Sequence, residues 1–240
     1  MTKKNKISVC ICTYNGGKYI REQISSILPQ LDENDEVIIS DDGSTDNTLE
    51  IIEKYNDTRL KIFHNTNRKG VVGNFENALN VCSGDVIFLS DQDDVWLPNK
   101  VRLSLEGLRD YEVIVSNCKV VDEHLQVIHE SYFVLNNSKQ GFFKNFYRSS
   151  YLGCCLAFRR ELLNDILPFP KKLFLFHDWW IGFIADAKYK VKFIDTPCML
   201  FRRHGQNTST TAGVSNQSLY KKIRDRFQLL YLGLTRLMNL

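Results

Sequence analysis

Long apolar runs are missing from this chain. No stretch of the 240 residues is long and apolar enough to span a bilayer, and Met1-Thr2-Lys3-Lys4-Asn5-Lys6 leads only into a short run broken at Thr13-Tyr14-Asn15. A secretory signal is therefore not expected, and the reading is of a cytoplasmic protein. The seven cysteines are odd in number and contain no Cys-x-x-Cys pair. Cys10 and Cys12 alternate along a predicted strand and Cys154-Cys155 are adjacent, so reduced core thiols are expected rather than a zinc site or a disulfide framework. Charge of one sign is also lacking, because 31 basic and 28 acidic residues leave a net +3, too little by itself to imply nucleic acid. The turn after the first predicted strand is Thr13-Tyr14-Asn15-Gly16-Gly17, without the Gly-x-Gly-x-x-Gly that lets a dinucleotide pyrophosphate approach a helix terminus. A nucleotide-dependent oxidoreductase is thereby weakened. With 43% apolar and 25% charged residues, the composition is that of one sizeable globular domain, or one with a small appendage.

The first half of the chain alternates strand and helix. Ile7 to Cys12 reads as a strand, Ile20, Ile24, Ile27, Leu28 and Leu31 recur at helical spacing, and Glu36 to Ser40 reads as a second strand. Ser44 or Thr45 can cap a helix carrying Leu49, Ile52 and Tyr55, and Leu60 to His64 forms a third strand. Val71, Phe75, Ala78 and Cys82 share a helical face before the fourth strand, Asp85 to Ser90. This order implies an α/β fold with a mainly parallel sheet flanked by helices, and right-handed crossovers bring the strand ends to one edge.

Three of those ends carry chemistry. They are Thr13-Tyr14-Asn15, Asp41-Asp42-Gly43-Ser44 and Asp91-Gln92-Asp93-Asp94. Three carboxylates within four residues repel one another unless a cation or donor groups absorb the charge, which points to a divalent metal. Taken alone, each acidic end also reads as a polar turn capping the next helix, and Tyr14 as a packed aromatic. Together they supply what a nucleoside diphosphate needs: an aromatic shelf, carboxylates for ring N–H and ribose hydroxyls, and a metal for the phosphates.

Ile7-Ser8-Val9-Cys10-Ile11-Cys12-Thr13-Tyr14-Asn15, Ile38-Ile39-Ser40-Asp41-Asp42-Gly43-Ser44-Thr45-Asp46 and Phe88-Leu89-Ser90-Asp91-Gln92-Asp93-Asp94-Val95-Trp96 resemble the three N-terminal motifs of family 2 glycosyltransferases with a GT-A type fold. The bacterial rhamnosyltransferase-like members are the nearest in form, and the resemblance runs from about Ile7 to Ser209. It implies that Thr13, Tyr14 and Asn15 line the nucleotide pocket, that Asp42 meets the base and that Asp41 supports it. Asp91 and Asp93 resemble the Asp-x-Asp pair, with Asp93 as the direct metal ligand, and Asp94 is expected near the sugar or acceptor. The metal implied is Mn2+ or Mg2+.

The second half is less regular. Tyr111 to Asn117, Lys119 to Val121, Leu125 to Ile128, Tyr151 to Phe158, Lys192 to Asp195 and Cys198 to Phe201 read as strands. Between Glu130 and Ser150, aromatic residues are interleaved with polar ones, as either an acceptor platform or a helix packed on the core. His177-Asp178-Trp179-Trp180 is either a helix cap within an aromatic cluster or a base in a partly dry pocket. The resemblance implies that Asp178 is the general base. It also implies that the segment Arg202-Arg203-His204, with Asn207, lies beside the donor phosphates, so Arg203 is expected at the phosphates and His204 at the metal. Finally, Leu219, Ile223, Phe227, Leu230, Leu234 and Leu237 form one helical stripe amid Lys221, Lys222, Arg224, Arg226 and Arg236. That pattern fits a helix docked on its own domain or a partner, or one lying in an anionic membrane surface.

The expected organisation is a nucleotide-sugar-binding α/β half at 1–110, an acceptor-binding and catalytic-base half of the same domain at 111–210, and an amphipathic tail at 211–240. The resemblance implies inverting transfer from a nucleoside diphosphate sugar, dTDP-rhamnose or a UDP-hexose, to a saccharide or lipid-linked acceptor in surface polysaccharide or glycoconjugate synthesis. A non-catalytic binding scaffold of the same fold is the alternative. No nucleic acid is expected as a partner, and of the alternatives for the tail the membrane one would set a cytoplasmic protein peripherally on the inner membrane face.

Overall fold

Residues 5–171, 173, 176–205, 207 and 218–238 are described in this computed structural model. Positions 208–209 of the segment beside the phosphates, 174–175 before His177 and 239–240 of the terminal helix fall outside the described residues, as does the side chain of Leu219.

Strands β1 (Ile7–Thr13), β2 (Glu36–Asp41), β3 (Leu60–His64) and β4 (Val86–Asp91) alternate with helices α1 (Ile20–Ile27), α2 (Thr48–Glu53) and α3 (Val71–Val81). β1, β2 and β4 are buried along almost their whole length, as continuous apolar runs covered on both faces must be. α1 buries Ile20, Ile24 and Ile27 at the predicted spacing, then tightens into a 3-10 turn at Leu28–Gln30. α2 begins at Thr48, and Asp46 rather than Ser44 or Thr45 receives an N–H of its first turn (Thr48 N to Asp46 Oδ1, 3.0 Å). The strands run β3-β2-β1-β4, all parallel. Their registers set Thr13 opposite Asp41 and Cys12 opposite Asp91, so the three predicted tips finish level on one edge.

The chain continues through β5 (Val95–Trp96), α4 (Lys100–Gly107), β6 (Val113–Val121), β7 (Val127–His129), α5 (Tyr132–Asn136), α6 (Phe142–Tyr147), β8 (Leu156–Arg159), α7 (Leu163–Ile166), α8 (His177–Lys188), β9 (Val191–Arg202) and α9 (Leu219–Leu237). The whole sheet reads β3-β2-β1-β4-β8-β6-β9-β5, with β7 beside β6. β8 is antiparallel to both β4 and β6, while β9 is parallel to β6. β9 therefore points the same way as β4 and delivers Arg202, Arg203 and His204 to the edge that holds the acidic tips.

Several second-half expectations need correction. The pairs of short strands predicted at 111–121 and 192–201 are single strands, β6 and β9, whose mutual register shifts around Asn117. The Asn117 side chain bridges that irregularity, donating to Asp195 O (2.8 Å) and accepting from Cys118 N (2.9 Å), which removes the need for a chain break. The strand expected from Tyr151 starts only at Leu156, after a 3-10 turn at Gly153–Cys155. The aromatic stretch forms α5 and α6. Phe142 and Phe146 pack on Phe183 of α8, with centroids at 5.0 and 6.2 Å, so the packed-helix reading holds and none of the α6 aromatics lines the cavity described below.

α9 docks on α8 by a face that shares only one edge of the predicted stripe, where Leu230 and Leu237 are partly buried against the core. Leu229 is buried, and Gly233 lies so close to Phe183 that a Cβ there would meet the ring at 2.0 Å. Arg226 stacks over Trp179 at 5.3 Å and donates to Tyr147 O (3.0 Å), while Arg236 stacks over Trp180 and donates to the carbonyls of Asp165 and Leu167 (3.0 and 2.8 Å). Two guanidinium groups expected on the solvent side thus hold the helix down. Ile223, Phe227 and Leu234 of the stripe face outward.

Candidate active site

The ends of β1, β2 and β4 open into a cavity of about 620 Å3. Its wall includes Thr13, Tyr14, Asn15, Asp42, Asp91, Asp93, Asp178 and His204, which brings together most of the residues singled out in the sequence. Asp41 is buried beneath it. That carboxylate accepts from Thr13 Oγ1 (2.9 Å), Ser44 Oγ (2.5 Å), Ser44 N (2.8 Å) and Gly43 N (3.0 Å). Burial opposes its charge, but these donors outweigh the burial and hold its pKa below the ordinary value. The turn they build needs Gly43 in the left-handed region, at φ +94°. It presents Asp42, whose oxygens accept from Asn65 Nδ2 (2.8 Å) and Gly70 N (2.7 Å). Asn15 joins the same turn by accepting from Thr45 N at 2.8 Å.

Tyr14 is 58% exposed at the mouth, and its backbone is held by a side chain from the acidic motif. Gln92 accepts from Tyr14 N (2.9 Å) and donates to Tyr14 O (3.0 Å), as a neighbouring strand would. Gly16 accommodates this amide, because a Cβ there would lie 2.2 Å from Gln92 Oε1.

The acidic motif divides into exposed and buried members. Asp91 and Asp93 line the cavity, while Asp94 is fully buried behind it and absent from the wall, contrary to its expected place near the sugar or acceptor. Asp94 Oδ1 accepts from the main chain of Arg202, and its Oδ2 has no hydrogen-bond partner among the described residues. Burial, with the charges of Asp93 and Asp91, pushes the Asp94 pKa well up. Burial first, then the charges of Asp93 and Asp178, push Asp91 up to about 7. Asp93 Oδ2 meets His204 Nε2 at 2.8 Å and Asn207 Nδ2 at 3.3 Å. The compact ligand group among the described residues is Asp91, Asp94 and the Cys154 thiol, whose atoms lie within 4.8 Å of one another. Crowded carboxylates with one orphaned buried oxygen fit a hard divalent cation, with Asp91 and Asp93 as the accessible oxygen donors.

Arg202 ties this loop to β9. Its Nε donates to Asp93 O (2.8 Å), one terminal nitrogen donates to Glu123 O (2.8 Å), and the other pairs with Glu22. Arg202 and His204 both stack on Tyr19, each at 4.7 Å. Arg203, expected at the phosphates, is not part of the cavity wall, whereas Arg202 is buried and turned into the acidic loop.

Asp178 stands in the first turn of α8 and accepts from Trp179 N (2.7 Å) and the Gly153 N–H. Burial pushes its pKa up to about 6 against those donors and its own N–H. His177, beside it, also lines the cavity and stacks on Phe75 with centroids 4.1 Å apart. Burial pushes the His177 pKa down to about 3, and neither ring nitrogen has a partner among the described residues. Gln92 and Tyr19 are thus structural members of the site that the sequence did not single out, and Arg202 and His177 are members whose segments it marked without giving either residue a role of its own. Arg202 was the most accessible of these to sequence reasoning, as one of two adjacent arginines ending a strand.

The family model "Glycosyl transferase family 2" matches residues 8–167. Among curated proteins, dTDP-rhamnosyl transferase RfbG of Shigella flexneri is 29% identical over 230 residues, covering 89% of this chain and 78% of its own. Among solved structures, S. aureus TarS 1-349 in complex with UDP-GlcNAc superposes with a TM-score of 0.70 at 25% identity, over 96% of this chain and 72% of that one. Mannosyltransferase PcManGT from Pyrobaculum calidifontis, in complex with GDP-Man and Mn2+, gives a TM-score of 0.62 at 21% identity, over 99% and 65% of the two chains.

Proposed function

The chain belongs to glycosyl transferase family 2, with a fold of the GT-A type, and from that premise we propose a metal-dependent transfer, with inversion, of a sugar from a nucleoside diphosphate donor to a saccharide or lipid-linked acceptor. The observation that carries this reading is the meeting of Asp42, of Asp91 with Asp93, and of Asp178, from three separate segments, around one cavity of nucleotide-sugar size. The donor is dTDP-rhamnose or a UDP-hexose, and the likeness to RfbG supports the former. The product belongs to a surface polysaccharide or glycoconjugate assembled at the inner membrane face. No helix among the described residues is long and apolar enough to cross a membrane.

In this reading the base rests between Tyr14 and Asp42, with Thr13 and Asn15 completing the shelf. Asp91 and Asp93, with His204 beside them, would hold Mn2+ or Mg2+, which supplies positive charge against the departing diphosphate. Asp178 takes the proton of the acceptor hydroxyl as its oxygen attacks the anomeric carbon from the face opposite the diphosphate. A pKa near 6 suits that task, since the group is ionised at neutral pH yet more basic than an ordinary carboxylate. The likeness to structures holding nucleotide sugar, one of them with Mn2+, supports the metal and donor assignments.

The test is calorimetric titration with dTDP-rhamnose, UDP-glucose, UDP-galactose and UDP-GlcNAc, each with Mn2+, with Mg2+ and with chelator. Metal-dependent binding of one donor is the expected result. Absence of binding to every donor by a folded sample would overturn the reading.

A further inference from the structure

Outside the cavity, the feature with the most physical content is the outward surface of α9 and its neighbour α6. On α9, Tyr220, Ile223, Phe227, Tyr231, Leu234 and Met238 are exposed, and they recur at three- and four-residue steps along one side. Phe227 and Tyr231 are each 68% exposed, far beyond what a scattered surface residue requires. This side cannot turn inward, because Leu229, Gly233, Arg226 and Arg236 seat the opposite side on α8. α6 adds to it. Phe143 (85% exposed) and Tyr147 (72% exposed) stand one turn apart on one face of that helix, and Arg226 bridges the two helices by lying over the Tyr147 ring at 5.4 Å.

The exposed charge on these two helical segments is basic. Residues 131–149 contain no acid, and their bases are Lys139, Lys144 and Arg148. Residues 218–238 contain one acid, Asp225, which is buried and paired with Arg224, while Lys221 and Lys222 stand beside the stripe. A second copy of the chain would set two such basic rims against each other, at a Coulombic cost. An anionic lipid surface complements them, gaining on the order of 1 kcal/mol per basic side chain near the headgroups. The exposed tyrosines fit the same setting, with an apolar ring and a polar tip suited to the headgroup level.

We propose that α6 and α9 together form a docking surface for an anionic lipid bilayer, with Phe143, Phe227 and Tyr231 entering the interface and the lysines meeting the headgroups. This names the membrane contact that the functional reading above only locates, but it rests on the surface itself and not on the identity of the donor. The seat of α9 on Trp179, next to Asp178, places the docked face one helix away from the proposed base.

Flotation of the full chain with vesicles tests this. Vesicles of phosphatidylcholine containing about one-third phosphatidylglycerol should bind it about tenfold or more tightly than phosphatidylcholine alone, with binding that weakens as salt is raised. Phe227→Glu and Phe143→Glu, both at exposed positions, should each lose vesicle binding about tenfold while keeping the wild-type thermal midpoint and the wild-type response to nucleotide sugar. Equal binding to both vesicle types, or none, would overturn the proposal. So would a stable dimer in solution that Phe227→Glu dissociates, since the face would then belong to a second copy. Because vesicle binding and donor binding are read separately, failure of one is distinguishable from failure of the other.

Discussion

The main-chain N–H of Arg202 donates to Asp94 Oδ1 at 3.0 Å, which fastens the last residue of β9 to the acidic loop after β4. The guanidinium reinforces the tie through Asp93 O, Glu123 O and Glu22. The two residues are distant in sequence, and the sheet makes them neighbours because β9 runs parallel to β6 and points the same way as β4. The acidic loop therefore keeps its shape against its own charge repulsion.

That clamp predicts the behaviour of Arg202→Lys. A lysine keeps the charge but cannot serve three separated acceptors with one planar fork. Unsatisfied carbonyls at Asp93 and Glu123 should lower stability by about 2–4 kcal/mol. Urea denaturation measures this, and unchanged stability would mean the loop is held elsewhere. Metal-dependent donor binding should weaken together with it, since Asp93 sits on the clamped peptide.

Asp178→Asn separates chemistry from binding. With the proposed base gone, transfer should fall by about 10²–10⁴ while donor affinity stays within a few-fold of wild type. The pH profile carries a second signature. Burial raises the Asp178 pKa to about 6, so the active, ionised form gives way to the protonated one as pH falls through that value. Wild-type activity should therefore drop on the acid side near pH 6, and the asparagine variant should lack that limb. A variant that loses donor binding in calorimetry would remove the base assignment.

Metal and proton should compete at Asp91. Its pKa of about 7, and that of Asp178 of about 6, both lie above their unfolded values, so the folded state binds these protons more tightly than the unfolded one. The stability they contribute is fully present below about pH 4 and is lost as pH rises through 6 and 7. Without metal, the protein should thus lose part of its stability between pH 5 and 8, as far as these two groups are concerned. Mn2+ should raise the thermal midpoint at pH 7.5, by about 2–4 °C for each kcal/mol of binding free energy, and much less at pH 5. Asp93→Asn should shrink the effect, and a shift equal at both pH values would argue against carboxylate ligation.

Much of the parallel half was legible because the residues there are governed by local rules. Ile20, Ile24 and Ile27 keep a helical period, and the apolar runs of β1, β2 and β4 end in polar residues that parallel pairing must bring level. Long-range geometry escaped the same reading. Asn117 disguised one strand as two, since only the fold reveals that its amide bridges the shifted ladder. Asp94 reads in the sequence as a residue near the sugar or acceptor, yet a single step along the loop turns it from cavity to core. The stripe on α9 fits docking or a membrane surface alike, and its period does not reveal that Arg226 and Arg236 hold the helix down, because tryptophans and carbonyls await them on α7 and α8 and the chain that joins these helices. No period in the sequence announces a cation's partner.

Gly153 offers the sharpest test of how the base is held. A Cβ at this position would lie 2.7 Å from His177 Nε2 and 3.8 Å from Asp178 Cβ, and the Gly153 N–H is one of the donors to the Asp178 carboxylate. Gly153→Ala should therefore displace the imidazole from Phe75, shift the first turn of α8 and cost about 1–3 kcal/mol of stability. Transfer should fall further than stability explains, because the carboxylate must sit within hydrogen-bond reach of the acceptor hydroxyl. The clash is with the imidazole in particular, so trimming that partner should relieve it. In the double variant Gly153→Ala with His177→Ala, the combined loss of stability should be smaller than the sum of the single losses by about 0.5–3 kcal/mol, the range for residues in direct contact. Strict additivity in denaturation of the four proteins would show that the glycine is required for its backbone alone, and that His177 does not set the position of Asp178.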